Sequence, residues 1–256
     1  MNAVTHTPGR VVWRELMTSD LERAKGFYGE LFGWVFKDFP MGEGQPPYPI
    51  AHVDGKGLAG LMQKPTPEMP SFWLSYVSVE DVDDAVAKAK RGGGSALFGP
   101  MDVPEVGRLG MIADFDDAVI GLLRSTQGDD APTMPKAGEF CWETMSSTDP
   151  ERAKGFYSEV FGWTQQPGPS GTGDVVFSAE EAMVADLQRS LPGMPSMWQT
   201  YVVVDDLGRA RDRVTQLGGQ VIVPLIKVPN VGNIALIADP TGGHIGLFEA
   251  PQGAAS

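Results

Sequence analysis

The sequence predicts an α+β chain in which one unit is written twice, each half reading as β-α-β-β-β followed by β-α-β-β-β. Three observations predict this. The stretch WRELMTSDLERAKGFYGELFGW from Trp13 to Trp34 returns as WETMSSTDPERAKGFYSEVFGW from Trp142 to Trp163, with 13 of 22 positions identical at an offset of 129. Downstream, PSFWLSYVSVEDV from Pro70 answers to PSMWQTYVVVDDL from Pro195, and GRLGMIADFDDAVIGLL from Gly107 to GNIALIADPTGGHIGLF from Gly232, both at an offset of 125. Strand-like and helix-like periodicities then alternate in the same order in both halves. Agreement of this extent marks a tandem duplication.

The elements follow in order. Val11–Leu16 has strand character, and Asp20 can cap a helix whose apolar residues Leu21, Ala24, Phe27, Tyr28, Leu31 and Phe32 share one face. Gly33 ends it. The second copy has Asp149 as N-cap, Pro150 at the first helical position and Gly162 as terminator. Strands are expected around Tyr48–Val53 and Leu58–Gln63, between loops rich in Gly and Pro. Phe72–Val79 opens a second strand–helix pair, and Asp81 starts a helix with Val82, Ala85, Val86 and Ala89 inward. Gly92-Gly93-Gly94 stops that helix. Strands at Leu109–Ala113 and Ala118–Leu123 complete the half. The polar, proline-bearing stretch 127–136 (QGDDAPTMPK) is the expected linker between domains 1–126 and 137–256.

Composition narrows the function classes. The formal charge of −13 opposes nucleic acid, whose phosphates need a Lys/Arg surface, and it repels anionic lipid. No run approaches the ~20 apolar residues that span a bilayer. The opening MNAVTHTPGR lacks the apolar core of a secretory signal, so a cytoplasmic protein is expected. A single cysteine, Cys141, excludes an internal disulfide and reads as a small buried hydrophobe on a strand. None of the glycine clusters has a phosphate-loop pattern.

The doubled β-α-β-β-β half, the D-x-x-x-A-x-x-F-Y-x-x-x-[FL]-G-W helix at Asp20–Trp34 and Asp149–Trp163, and the turn Asp239-Pro240-Thr241-Gly242 resemble the vicinal oxygen chelate superfamily. That group holds glyoxalase I, bleomycin-resistance proteins and extradiol dioxygenases. The resemblance runs from about Arg10 to Pro251; the first-half turn, Asp114-Phe115-Asp116-Asp117, has lost the Pro and Gly. It implies two tandem domains, each a pair of βαβββ modules curling into a cup with helices outside and ligand on the concave face. It further implies metal-ligand positions on the first and fourth strand of each module. Carried over, these fall on Trp13, Gly60, Leu74 and Gly121, and on Trp142, Asp186, Gln199 and Gly246. Indole, glycine and leucine offer a cation no lone pair, so no metal or other cofactor is expected, a divalent metal being the alternative. A same-face shift of two residues adds only Glu15 and His244.

What remains is a concave, mostly apolar surface with a few polar groups, the usual make-up of a small-molecule site. The expected ligand-binding residues are Trp13, Glu15, Leu74, Tyr76, Trp142, Thr144, Asp186, Gln199, Tyr201, His244 and Phe248. The candidate catalytic group is Glu15: an inward carboxylate is costly to keep charged, and enclosure raises its pKa toward that of a base. Its repeat mate is Thr144. The faces Phe27/Tyr28 and Phe156/Tyr157 read as core. The expected function is binding of a small, partly apolar molecule by a monomer or homodimer. A metal-dependent lyase or dioxygenase is the alternative, as is a metal-free acid–base enzyme using Glu15. The sequence leaves open whether each half closes its own cup or whether first and last modules pair across halves.

Overall fold

The computed structural model describes residues 4–42, 44, 46–168 and 175–251. The first half runs β1 (Val11–Thr18), α1 (Leu21–Phe32), β2 (Val35–Phe39), β3 (Tyr48–Val53), β4 (Lys56–Gln63), β5 (Phe72–Ser78), α2 (Val82–Arg91), β6 (Ser95–Val103), β7 (Gly107–Ala113) and β8 (Val119–Ser125). The second repeats the order as β9 (Phe140–Ser147), α3 (Pro150–Phe161), β10 (Thr164–Pro167), β11 (Val175–Ala179), β12 (Ala182–Arg189), β13 (Met197–Val203), α4 (Leu207–Gln216), β14 (Gln220–Val228), β15 (Gly232–Ala238) and β16 (His244–Glu249). The α+β class and the doubled βαβββ order are as expected from the sequence.

Every helix opens on an aspartate whose carboxylate accepts an amide of the first turn: Asp20 from Arg23, Asp81 from Asp83 and Asp84, Asp149 from Arg152, Asp206 from Arg209. Each such cap contributes about 1 kcal/mol. Gly33 and Gly162 close α1 and α3 in the left-handed region, at φ 73° and 72°, where a side chain would be strained.

The strands form two curled eight-stranded sheets, one from each half, in the order β2-β3-β4-β1-β5-β8-β7-β6 and its second-half equivalent. Hydrogen-bonded pairing therefore stays within a half. The helix-side cores do not stay within a half. One compact unit joins Met1–Trp13, Leu74–Thr133 and Glu143–Trp198; the other joins Arg14–Trp73, Met134–Trp142 and Gln199–Ser256.

In the first unit α2 packs on α3. Val82, Ala85, Val86 and Ala89 meet Ala153, Phe156, Tyr157 and Val160 over Ile112, Ile120, Leu122, Phe177 and Leu187. Gly92 and Gly94, which the sequence presents as helix stops, also leave the space that the Phe156 ring fills. Tyr157 donates to Asp114 Oδ2 at 2.8 Å and accepts from Trp198 Nε1 at 3.0 Å. The Asp114 Oδ1 atom accepts the amides of Asp116 and Ala118.

The second unit repeats this arrangement with the halves exchanged. α1 packs on α4 over a core that includes Leu16, Phe27, Leu61, Val202, Val214, Ile237 and Leu247. Tyr28 donates to Asp239 Oδ2 at 2.8 Å and accepts from Trp73 Nε1 at 2.9 Å. Asp239 Oδ1 accepts the amides of Thr241 and Gly243. The first-half turn thus keeps its shape without the Pro and Gly, because Asp117 adopts φ 65° where Gly242 has φ 95°. Among the described residues no helix is long and apolar enough to cross a membrane.

Candidate functional site

In all four modules the first strand lies parallel to the fourth. Alternation sends every second side chain of these strands to the face turned away from the module's helix. Register then decides which positions stand opposite one another. Glu15 faces Gly60, Tyr76 faces Gly121, Thr144 faces Asp186 and Tyr201 faces Gly246. The first-strand partners are therefore two residues beyond Trp13, Leu74, Trp142 and Gln199, the positions carried over from the resemblance.

Three of the four fourth-strand positions are glycine, and each lies under a tyrosine. The Tyr48 phenol covers Gly60, the Tyr76 ring covers Gly121 and the Tyr201 ring covers Gly246, each so closely that a Cβ has no room. Tyr48 also donates to Glu15 Oε1 at 2.6 Å, and Glu15 is 5% exposed. The first module of the second half is built differently. Asp186 replaces the glycine and accepts the Thr144 hydroxyl at 2.6 Å. Each half's first module thus holds one inner carboxylate tied to a hydroxyl, on the first strand in one half and the fourth in the other.

The remaining candidates are placed as follows. Leu74, Thr144, Gln199 and Tyr201 are buried; Trp13, Tyr76, Trp142, Asp186 and Phe248 are half-buried. Gln199 donates to the Thr200 carbonyl at 3.0 Å. His244 is exposed at the start of β16, opposite Ala238. Asp186 belongs to one compact unit, Gln199 and His244 to the other. Cys141 is half-buried, its thiol 3.6 Å from the Tyr201 carbonyl, more open than the sequence suggests. Two residues were missed. Tyr48 lies on a third strand, outside the ligand positions. Glu143, 1% exposed, accepts the Ser75 hydroxyl at 2.8 Å; the signal for it was the charge reversal from its repeat mate Arg14.

The donor set does not fit a divalent metal. Glycine supplies no ligand atom, and tyrosine rings take the space a longer residue would use. Among the described residues no group of three His, Cys, Asp or Glu is placed to hold an ion.

The sequence matches the Glyoxalase/Bleomycin resistance protein/Dioxygenase superfamily over residues 8–121 and 144–246. The chain belongs to this superfamily. Among its relatives, the candidate glyoxylase CFP32 of Mycobacterium tuberculosis is 33% identical over 247 residues, covering 94% of this chain and 95% of that protein. The anthracycline biosynthesis protein DauV of Streptomyces sp. (strain C5) is 26% identical over 259 residues, with 94% of each covered. Superfamily members of known structure share the fold. The Mn(II)-bound glyoxalase of Novosphingobium aromaticivorans superposes with a TM-score of 0.59 at 14% identity, over 96% of this chain and 83% of that one. The 2,3-dioxygenase LapB of Pseudomonas sp. KL28 gives 0.62 at 12% identity, over 99% and 97%.

Proposed function

We propose that this protein is a cytoplasmic binder of a small, flat, partly apolar molecule on the inner faces of its sheets, acting without a catalytic metal. The observation that carries this reading is the repeated tyrosine-over-glycine pair. Removing the Cβ at Gly60, Gly121 and Gly246 lets phenol rings lie against the strands. Each pair by itself gives an aromatic surface suited to stacking, with a hydroxyl to orient what rests on it. A relative named for anthracycline biosynthesis supports the same shape of ligand, since an anthracycline is a planar polycyclic body. Sequestration of such a compound, as in resistance-type relatives, is the concrete form of the proposal.

Titration of planar aromatic compounds, anthracycline-type quinones among them, into the full chain tests it through tryptophan fluorescence. Saturable quenching without turnover is the expected result. No response from any compound would overturn the reading.

The 2.6 Å bond from Tyr48 to Glu15 favours one second reading, metal-free proton transfer by Glu15 to or from a bound ligand. Turnover that survives chelation and disappears in Glu15→Gln, with binding retained, is its signature. Turnover lost to chelator would instead mark a metal-dependent lyase or dioxygenase.

A further inference from the structure

The two first modules are sisters by duplication, and strand register lets their inner faces be compared position by position. In the first half Glu15 faces Gly60, Met17 faces Met62 and Ile50 lies beside Gly60. In the second half Thr144 faces Asp186, Ser146 faces Gln188 and Val176 lies beside Asp186. Where the first half has two methionines, the second has a serine and a glutamine. Gln188 Nε2 donates to Ser146 Oγ at 3.0 Å, and Gln166 Nε2 to Ser178 Oγ at 3.4 Å on the next strands. One face therefore sets apolar side chains around the Glu15 carboxylate, with the exposed Lys37 beside Ile50 on β2. The other is a grid of hydroxyl, amide and carboxylate groups around the buried Val176, which stands between Gln166 and Asp186.

From this grid we infer that the second-half sheet carries a separate site for a neutral polyhydroxylated molecule of the sugar or polyol class. The chemistry selects that class by elimination. An anion meets the Asp186 carboxylate, and an apolar ring meets no apolar floor at Ser146 and Gln188. A hydroxyl both donates and accepts, and so does this set: Asp186 accepts, while the Gln166 and Gln188 amides and the Thr144, Ser146 and Ser178 hydroxyls do both. The positions repeat about 4.8 Å apart across strands and about 6.7 Å apart along them. Gln166 and Gln188 are exposed, Asp186 and Ser146 half-buried, and Thr144 and Ser178 buried, so a ligand meets the two glutamines, Ser146 and Asp186 first.

The test is saturation-transfer NMR on the full chain with methyl glucoside, methyl galactoside and inositol as probes. Wild type is expected to show saturable transfer to the ring protons. The double variant S146M/Q188M copies the sister residues of the first half at an exposed and a half-buried position. It should keep the wild-type thermal transition and bind the probes at least tenfold more weakly. No transfer to any probe in wild type, or unchanged transfer in the double variant, would overturn the inference. The aromatic-binding proposal is judged on fluorescence and separate ligands, so either can fail alone.

Discussion

The Tyr28 hydroxyl donates to Asp239 Oδ2 at 2.8 Å, joining residues 211 positions apart, and Tyr157 makes the same bond to Asp114. Each half supplies the tyrosine of one bond and the aspartate of the other. Both phenols are completely buried and also accept a tryptophan N–H. Replacing Tyr28 by Phe leaves Asp239 and the Trp73 indole each short of one bond. A hydrogen bond to a charged group is worth about 1.5–3 kcal/mol. Tyr28→Phe and Tyr157→Phe are each expected to lower stability by about that amount in urea unfolding. A loss under 0.5 kcal/mol, the ordinary level for an unimportant surface change, would show that the bond is not a structural tie.

The same burial sets an alkaline limit. Desolvation first, then the neighbouring carboxylate charge, holds the Tyr28 and Tyr157 phenols well above their ordinary 10.0. A folded-state pKa raised above the unfolded value contributes stability that is complete below pH 10 and is lost as pH climbs toward the folded pKa. Two of the five tyrosines should therefore ionise only as the chain unfolds, in a single cooperative step of the phenolate absorbance. Tyr28→Phe should remove one of the two late groups.

Asp114 carries the opposite lesson for its class. Desolvation raises its pKa above 3.8, against the hydrogen bonds from Asp116, Tyr157 and Ala118 that lower it. Stability tied to this carboxyl is greatest in acid and falls as pH rises through its folded pKa. The stability difference between Asp114→Asn and wild type should shift in favour of the variant from pH 4 to pH 7. Asp116 beside it is held low by the Ser196 and Thr148 hydroxyls and pulls the wild-type curve the other way, so only the difference between the two proteins isolates Asp114.

The glycines under the rings give a fourth check. A methyl at Gly246 collides with the Tyr201 ring, and one at Gly121 with Tyr76. Overpacking of this kind costs about 1–3 kcal/mol. Gly246→Ala should destabilise by that amount, and Tyr201→Ala in the same chain should recover part of it. Additive losses in the double variant would mean that the ring does not occupy that space.

Much of this architecture could be read in the residues. The Asp20 and Asp149 caps and the Gly33 and Gly162 stops follow from local chemistry that repeats. The strands β2, β6, β10 and β14 are edge strands with mostly exposed residues. They lack the apolar alternation that would announce them. Tyr28 and Tyr157 read correctly as core, but their partners lie across the duplication, where no periodicity points. Register was the harder quantity. An alignment by motif places Trp13 and Leu74 beside the fourth strand, whereas the pairing brings up Glu15 and Tyr76. Tyr48 escaped because its hydroxyl reaches Glu15 by lying across Gly60, a relation visible only once β3 and β4 are paired.

Glu15 and Tyr48 provide the sharpest discrimination between binding and chemistry. If the pair only orients a ligand, Tyr48→Phe should weaken aromatic binding by about 1 kcal/mol, the worth of one hydrogen bond, or about fivefold in Kd. Glu15→Gln keeps the shape and an acceptor oxygen, so it should change affinity by a similar factor. If Glu15 moves a proton, the two variants separate: Glu15→Gln should abolish turnover of any processed compound while leaving its Kd within that range, and Tyr48→Phe should shift the pH profile of the rate. Adding chelator distinguishes both from metal chemistry, because neither binding nor proton transfer by this pair requires an ion. Binding lost to chelator and restored by a divalent cation would show that the tyrosine-covered glycines do not define the site, and that the ligand rests elsewhere on the sheets.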